Sequence, residues 1–154
     1  MKSLTLFLLL LVSTLSFSQN PEQQKEQEKV IESINLFFAG FHTQDSTLMQ
    51  SVVYKDVVLQ SISKTKDNES KLVTSDFSEF IKQIVSIPED NTFLENLISF
   101  SVQIDGNMAN VWTPYEFWFN DKKSHCGVNS FQLMKENNTW KIIYLVDTRR
   151  KCEE

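Results

Sequence analysis

His125, Glu116 and Asn129 are the residues of this chain whose types and placing best suit chemistry on a small molecule. They stand in two runs, VWTPYEF (residues 111–117) and HCGVNSF (residues 125–131), that otherwise read as β-strand. An imidazole titrates near neutrality and a nearby carboxylate tunes it, so His125 with Glu116 forms a candidate general base or acid. Asn129 offers both a donor and an acceptor to a bound molecule. Trp112, Tyr115 and Tyr144 supply flat walls of the kind that line small-molecule sites. Each has a plainer assignment. His125 is then a strand histidine satisfied by main chain or by Asn129, Glu116 a solvent-facing carboxylate, and the large aromatics core. Asp147 and Arg149 fall on one side of the last strand and form a candidate ion pair, worth about 0–1 kcal/mol if exposed.

Composition excludes several other chemistries. The net charge is −5 and no basic run occurs, which argues against nucleic acid and anionic membranes as partners. Three glycines, none in a phosphate-loop motif, leave no nucleotide cradle. Two histidines and two cysteines, scattered, match no metal-ligand spacing, so neither metal nor cofactor is expected. Cys126 and Cys152 are free to bridge in an oxidising compartment, if the tail bends enough to bring their Cα atoms within about 7 Å. Asn68-Glu69-Ser70 and Asn137-Asn138-Thr139 match the glycosylation sequon, which matters only in a eukaryotic secretory pathway.

The first residues, MKSLTLFLLLLVSTLSFS, carry a positive head, a short apolar run and small residues at Ser16 and Ser18. This is the layout of a signal peptide over residues 1–18, and the apolar run is shorter than the roughly 20 residues of a membrane span. The expectation is export, to the periplasm or beyond, with a chain starting at Gln19. Residues 19–29 read as a polar lead-in and residues 30–152 as one domain.

Three helices and a sheet must position the candidate residues. Val30, Ile34, Phe37, Phe38 and Phe41 share one helix face. Ser46 is placed to cap a short second helix bearing Leu48, Met49 and Val52. Asp76 and Glu79 form a capping-box pattern ahead of Phe77, Phe80, Ile81 and Ile84, with Pro88 closing that helix. Asp56–Ser63 reads as a strand and Lys64–Lys71 as a charged loop. From Leu97 the period falls to two and predicts a four-stranded antiparallel meander with turns near Gly106, Asp121 and Asn137. Regular hairpins set Phe100 opposite Trp112, Trp118 opposite His125, Glu116 opposite Gly127, and Phe131 opposite Tyr144.

That register places Trp112, Glu116, Trp118, His125, Asn129, Phe131, Trp140 and Tyr144 on the face the helices cover. Gly127 leaves open space beside His125. Val111, Tyr115, Phe117, Val128, Ile143 and Leu145 fall on the outer face, an apolar patch that suggests a homodimer. Pro114 predicts a bulge, since it cannot donate to the ladder, and such a bulge turns Tyr115 inward in place of Glu116.

The order of elements resembles the nuclear-transport-factor-2-like superfamily, an α+β cone shared by ketosteroid isomerases, scytalone dehydratase and SnoaL-like cyclases. The residues that carry the resemblance are FFAGFHTQD (37–45), YKDVVL (54–59) and WKII (140–143), spread over Val30–Arg150. With the runs at 111–117, 125–131 and DTRR (147–150), the chain also resembles exported bacterial proteins labelled lumazine-binding-like. The isomerases use a tyrosine and two carboxylic acids, and no residue here is matched to those positions. The resemblance implies a curved antiparallel sheet, made of the meander plus one earlier strand, packed on three N-terminal helices. It also implies dimerisation through the outer sheet face.

Three functions are compatible with these readings. The first is an exported protein that binds a small, partly apolar molecule between sheet and helices, through Trp112, Tyr115, His125, Asn129 and Tyr144. The second is an acid–base enzyme of isomerase, dehydratase or cyclase type, with His125 or Glu116 catalytic. The third is a dimeric interaction module with a vestigial pocket.

Overall fold

The computed structural model describes residues 20–153. Helix α1 (Pro21–His42) begins where Asn20 caps it, its side chain accepting from the Glu22 amide, with proline at the first turn where no amide partner is needed. The polar residues 21–29 are therefore helical. Val30, Ile34, Phe37, Phe38 and Phe41 form its buried stripe. Helix α2 (Ser46–Ser51) is capped by Asp45, which accepts from the Leu48 amide, and not by Ser46. α1 and α2 meet at Gly40, where an added Cβ would stand 2.8 Å from the Met49 nitrogen. Helix α3 (Phe77–Val85) starts at its expected cap, Asp76, bonded to the Glu79 amide.

Seven strands make one curved sheet. They are β1 (Val53–Lys64), β2 (Ser70–Ser75), β3 (Phe93–Leu97), β4 (Ser101–Asp105), β5 (Met108–Phe119), β6 (Lys122–Glu136) and β7 (Thr139–Arg150). The order is β2-β1-β7-β6-β5-β3, with β4 also on β5. β1 and β7 run parallel, and the other pairs are antiparallel. The α+β class holds, with two strands ahead of α3 where one was expected. β2 occupies the end of the supposed charged loop. It is an edge strand exposed along its whole length, so its residues carry no alternation to read.

Pro114 causes no bulge. Thr113, Pro114 and Tyr115 pair in unbroken sequence with Asn129, Val128 and Gly127. On its other side Pro114 faces the break between β3 and β4, where its carbonyl accepts from the Ile98 amide, so the missing N–H falls where the outer ladder is already interrupted. The shift lies elsewhere. Phe117 pairs with His125 and Trp118 with Lys123, which leaves Ser124 as the extra residue. A second shift leaves Ile143 unpaired, between Leu133–Ile142 and Gln132–Tyr144.

Each bulge turns a neighbouring run over. Ala109, Val111, Thr113 and Tyr115 are the buried residues of β5, at 0–1% exposure, while Trp112 is 52% exposed. Past Ile143, Leu145, Asp147 and Arg149 face the helices, and Tyr144 lies on the outer face, bonded to Gln60. Phe131, Leu133, Trp140 and Ile142 sit in the core as expected, against Phe37, Phe38 and Val30. Full burial of each such side chain contributes about 1.5–3 kcal/mol.

Candidate ligand cavity

A cavity of about 310 Å³ opens between the concave sheet and helices α1 and α3. Its apolar wall includes Phe37, Phe41, Phe80 and Phe117. Phe80 lies nearly parallel to Phe37 and Phe41, at 6.4 and 6.1 Å between centroids. The strand side is polar, and Glu95, His125, Asn129, Asp147 and Arg149 converge there. Each arrives by a register step. His125 and Asn129 are inward residues of β6, Asp147 and Arg149 become inward after the Ile143 bulge, and Glu95 is the middle residue of β3.

Asn129 is 2% exposed and donates from Nδ2 to Glu95 Oε1 at 2.6 Å. The Glu95 amide donates to His42 Nε2 at 2.9 Å, fixing β3 to the end of α1. That bond requires an unprotonated Nε2, and burial likewise holds the His42 pKa below its ordinary value. Burial raises the Glu95 carboxyl to about 7, and Asp147 adds to the rise against the opposing bond from Asn129. His125 stacks on Phe117 at 4.9 Å and meets the Tyr115 ring edge-on. Burial and the nearby Arg149 cation push its pKa down against Asp147, so its imidazole is neutral at pH 7.

Tyr115 lies under this floor. Its hydroxyl is within donating distance of Thr148 O at 3.0 Å and Asp147 Oδ2 at 3.2 Å. Burial and the two carboxylates keep it protonated. It reaches across β6 because Gly127 has no side chain: a Cβ there would lie 1.8 Å from Thr148 O and 2.7 Å from the Tyr115 ring. The space beside Gly127 is thus occupied by Tyr115 and is not part of the cavity. Arg149 Nε donates to Asp147 Oδ2 at 3.0 Å.

The expected site residues therefore separate. His125 and Asn129 line the cavity. Tyr115 supports it from beneath. Trp112, Glu116 and Tyr144 are outside it: Trp112 is exposed, Glu116 pairs with Lys123 at 2.7 Å, and Tyr144 bonds Gln60. The bulge at Ser124 accounts for Glu116 and that at Ile143 for Tyr144; Trp112 turns out also because the first hairpin pairs Asp105 with Met108, which sets Ser101 and not Phe100 opposite Trp112. Glu95 was missed, although Phe93, Glu95 and Leu97 share a strand face, and a carboxylate between two apolar residues on one face is a readable sign. Cys126 and Cys152 are bridged, on the outer side of the sheet from His125, with Cα atoms 5.0 Å apart. Among the described residues, no group of three or more His, Cys, Asp or Glu side chains is arranged for a metal ion, and no helix is long and apolar enough to cross a membrane.

No protein-family model matches the chain, and no curated protein matches it by sequence. Solved structures match it by shape. An NTF2-like protein of unknown function from Shewanella baltica is 14% identical, with a TM-score of 0.61 over 86% of this chain and 100% of that one. An NTF2-like protein from Cytophaga hutchinsonii is 12% identical, with a TM-score of 0.63 over 81% of this chain and 98% of that one. A protein from Streptomyces avermitilis, described as a proposed dehydratase of the NTF2-like family, is 11% identical, with a TM-score of 0.64 over 84% and 99%. At such identities the likeness is one of architecture, and the chain has the nuclear-transport-factor-2-like fold.

Proposed function

We propose that this chain is an exported protein that binds a small, partly apolar molecule in the cavity between the curved sheet and helices α1 and α3. The observation that carries the reading is the cavity itself, with phenylalanines on one side and five convergent polar side chains on the other. Its site residues are His125, Asn129, Glu95, Asp147 and Arg149. Export rests on the N-terminal residues, which lie outside the described range, and the Cys126–Cys152 bridge agrees with an oxidising compartment. The reading includes a homodimer through the outer sheet face, although Val111, Tyr115, Phe117 and Leu145 of the expected outer patch turn inward and Trp112 stands exposed there instead. An open cavity argues against a vestigial one.

The test is mass spectrometry of small molecules released from the purified protein, repeated on His125→Ala. A molecule retained by the parent and lost from the folded variant supports the reading. A parent that carries nothing and binds nothing from a metabolite extract overturns it.

One observation favours acid–base catalysis as a second reading. Glu95 has a pKa of about 7 inside the cavity, which suits a group that must both give and take a proton. The Streptomyces avermitilis neighbour is described as a proposed dehydratase. In this reading Glu95 replaces Glu116 as the acid–base group, and His125 and the Asn129 amide position the substrate. Glu95→Gln would abolish turnover while sparing binding of a neutral ligand.

A further inference from the structure

We propose that the cavity selects a small organic cation, an amine on an apolar or aromatic body, with its ammonium group set between Glu95 and Asp147. This rests on the reading of the cavity as a binding site and names the ligand class.

The charge inventory of the cavity comes first. Its titratable lining residues are Glu95, His125, Asp147 and Arg149. His125 is neutral at pH 7. Among the described residues of that lining, Arg149 is the one cationic side chain. It is already engaged through Nε with Asp147 Oδ2, and 58% of its side chain is exposed, so it stands at the mouth. Two carboxyl groups thus face one cavity with a single, committed counter-ion. With both ionised the interior carries an excess negative charge.

The free acceptors come next. Glu95 Oε1 receives the Asn129 amide, and Asp147 Oδ2 receives Tyr115 and Arg149. Glu95 Oε2 and Asp147 Oδ1 receive no hydrogen bond from a described side chain or amide. Among the described residues no wholly buried side-chain oxygen lacks a partner, so both oxygens keep some solvent-accessible surface. An ammonium group carries three donors and no acceptor, which fits the unused carboxylate oxygens of Glu95 and Asp147, while the remaining N–H groups of Arg149 stand at the exposed mouth. A carboxylate ligand would meet repulsion from both acids, and an alcohol would supply a donor while leaving the charge uncompensated.

The opposite wall supports the same ligand. Phe37, Phe41 and Phe80 offer an apolar surface for the body of the amine, away from its charged end. The volume, about 310 Å³, is at the small end of ligand sites.

Proton linkage gives a distinctive readout. An ammonium beside Glu95 requires the ionised carboxylate, and the free protein holds that group near a pKa of about 7. Affinity should therefore rise with the ionised fraction, about tenfold from pH 6 to pH 8.

The experiment is calorimetric titration of the intact protein with 2-phenylethylamine, 2-phenylethanol and phenylacetate, at pH 6 and pH 8. The expected result is preference for the amine by about tenfold or more, strengthened at pH 8. Glu95→Gln should weaken the amine and flatten its pH dependence. Asp147→Asn is the second variant if Glu95→Gln does not fold, and it should weaken the amine alone. Binding of the alcohol or the carboxylate as tightly as the amine overturns the cation proposal and leaves the binding cavity standing. Failure of all three probes to bind also overturns the cation proposal, and the binding reading is then decided by the molecules released from the purified protein.

Discussion

Asn129 on β6 and Glu95 on β3 are joined by a hydrogen bond of 2.6 Å that passes over the intervening strand β5. Among the described residues it is the only side-chain hydrogen bond of the Glu95 carboxyl, and it holds a titrating group at a fixed place in the cavity. The ordinary glutamate value is 4.5, and in the folded chain the group titrates near 7.

A carboxyl whose folded pKa is raised contributes stability that is complete below the unfolded value and is lost as pH rises through the folded one. The parent should therefore lose stability between about pH 4.5 and pH 7 through this group. Glu95→Gln, which keeps the acceptor for Asn129 and cannot ionise, should be more stable than the parent at pH 8 by roughly 1–3 kcal/mol. Urea denaturation at pH 5 and pH 8 checks this, and an equal difference at both pH values would refute the linkage.

Glu26 presents the opposite sign. Its carboxylate accepts from Lys135 at 2.6 Å, Lys29 at 2.8 Å and Trp140 Nε1 at 3.3 Å, tying the second turn of α1 to β6 and β7. Those bonds, Lys135 first, lower its pKa to about 2. The associated stability is present above about pH 4.5 and disappears as pH falls towards 2. Glu26→Gln should show a shallower acid transition than the parent over that range, read by circular dichroism.

The bridge between Cys126 and Cys152 closes a loop at a sequence separation of 26. Loop-closure entropy assigns such a link about 3 kcal/mol. Reduction, or the double variant Cys126→Ser with Cys152→Ser, should lower the denaturation midpoint accordingly without changing far-ultraviolet dichroism at low denaturant. Unchanged midpoints would mean that the β6–β7 pairing alone supplies the order at the chain's end.

Trp112 and Tyr115 stand three residues apart on an unbroken stretch of β5 and so on opposite faces, and mutation separates them. Tyr115→Ala removes a fully buried ring and should cost about 3–5 kcal/mol. Trp112→Glu should cost within about 0.5 kcal/mol in the monomer. If the outer face pairs two copies, the same Trp112→Glu change should turn a light-scattering dimer into a monomer at micromolar concentration. A monomeric parent would remove the dimer from the proposal.

The faces of β4 and β6 were legible in the sequence, and that of β5 was not. The reason is parity. Placing the Asn120–Asp121 turn one residue late moves the pairing by two and preserves every face. The single extra residue at Ser124 moves it by one and inverts the face. Asn120 and Asp121 both adopt positive φ, as do Asn137 and Asn138, so the turns themselves follow recognisable chemistry. Ser124 and Ile143 carry no comparable mark, because any residue can be the odd one in a bulge. His125 and Asn129 survived since they lie on the strand whose face was right. Glu95 did not, because the period of two is read only from Leu97 onward and β3 spans Phe93–Leu97.

The bridge also changes what a cut means for this molecule. Asn129, Asp147 and Arg149 all lie between Cys126 and Cys152, inside a covalent ring whose exposed tip is the Asn137–Asn138 turn. A protease that opens that tip severs the peptide chain but leaves both strands attached to each other through sulfur. Those three polar groups of the cavity would remain in one connected piece, and loss of mass would appear only after a reductant is added.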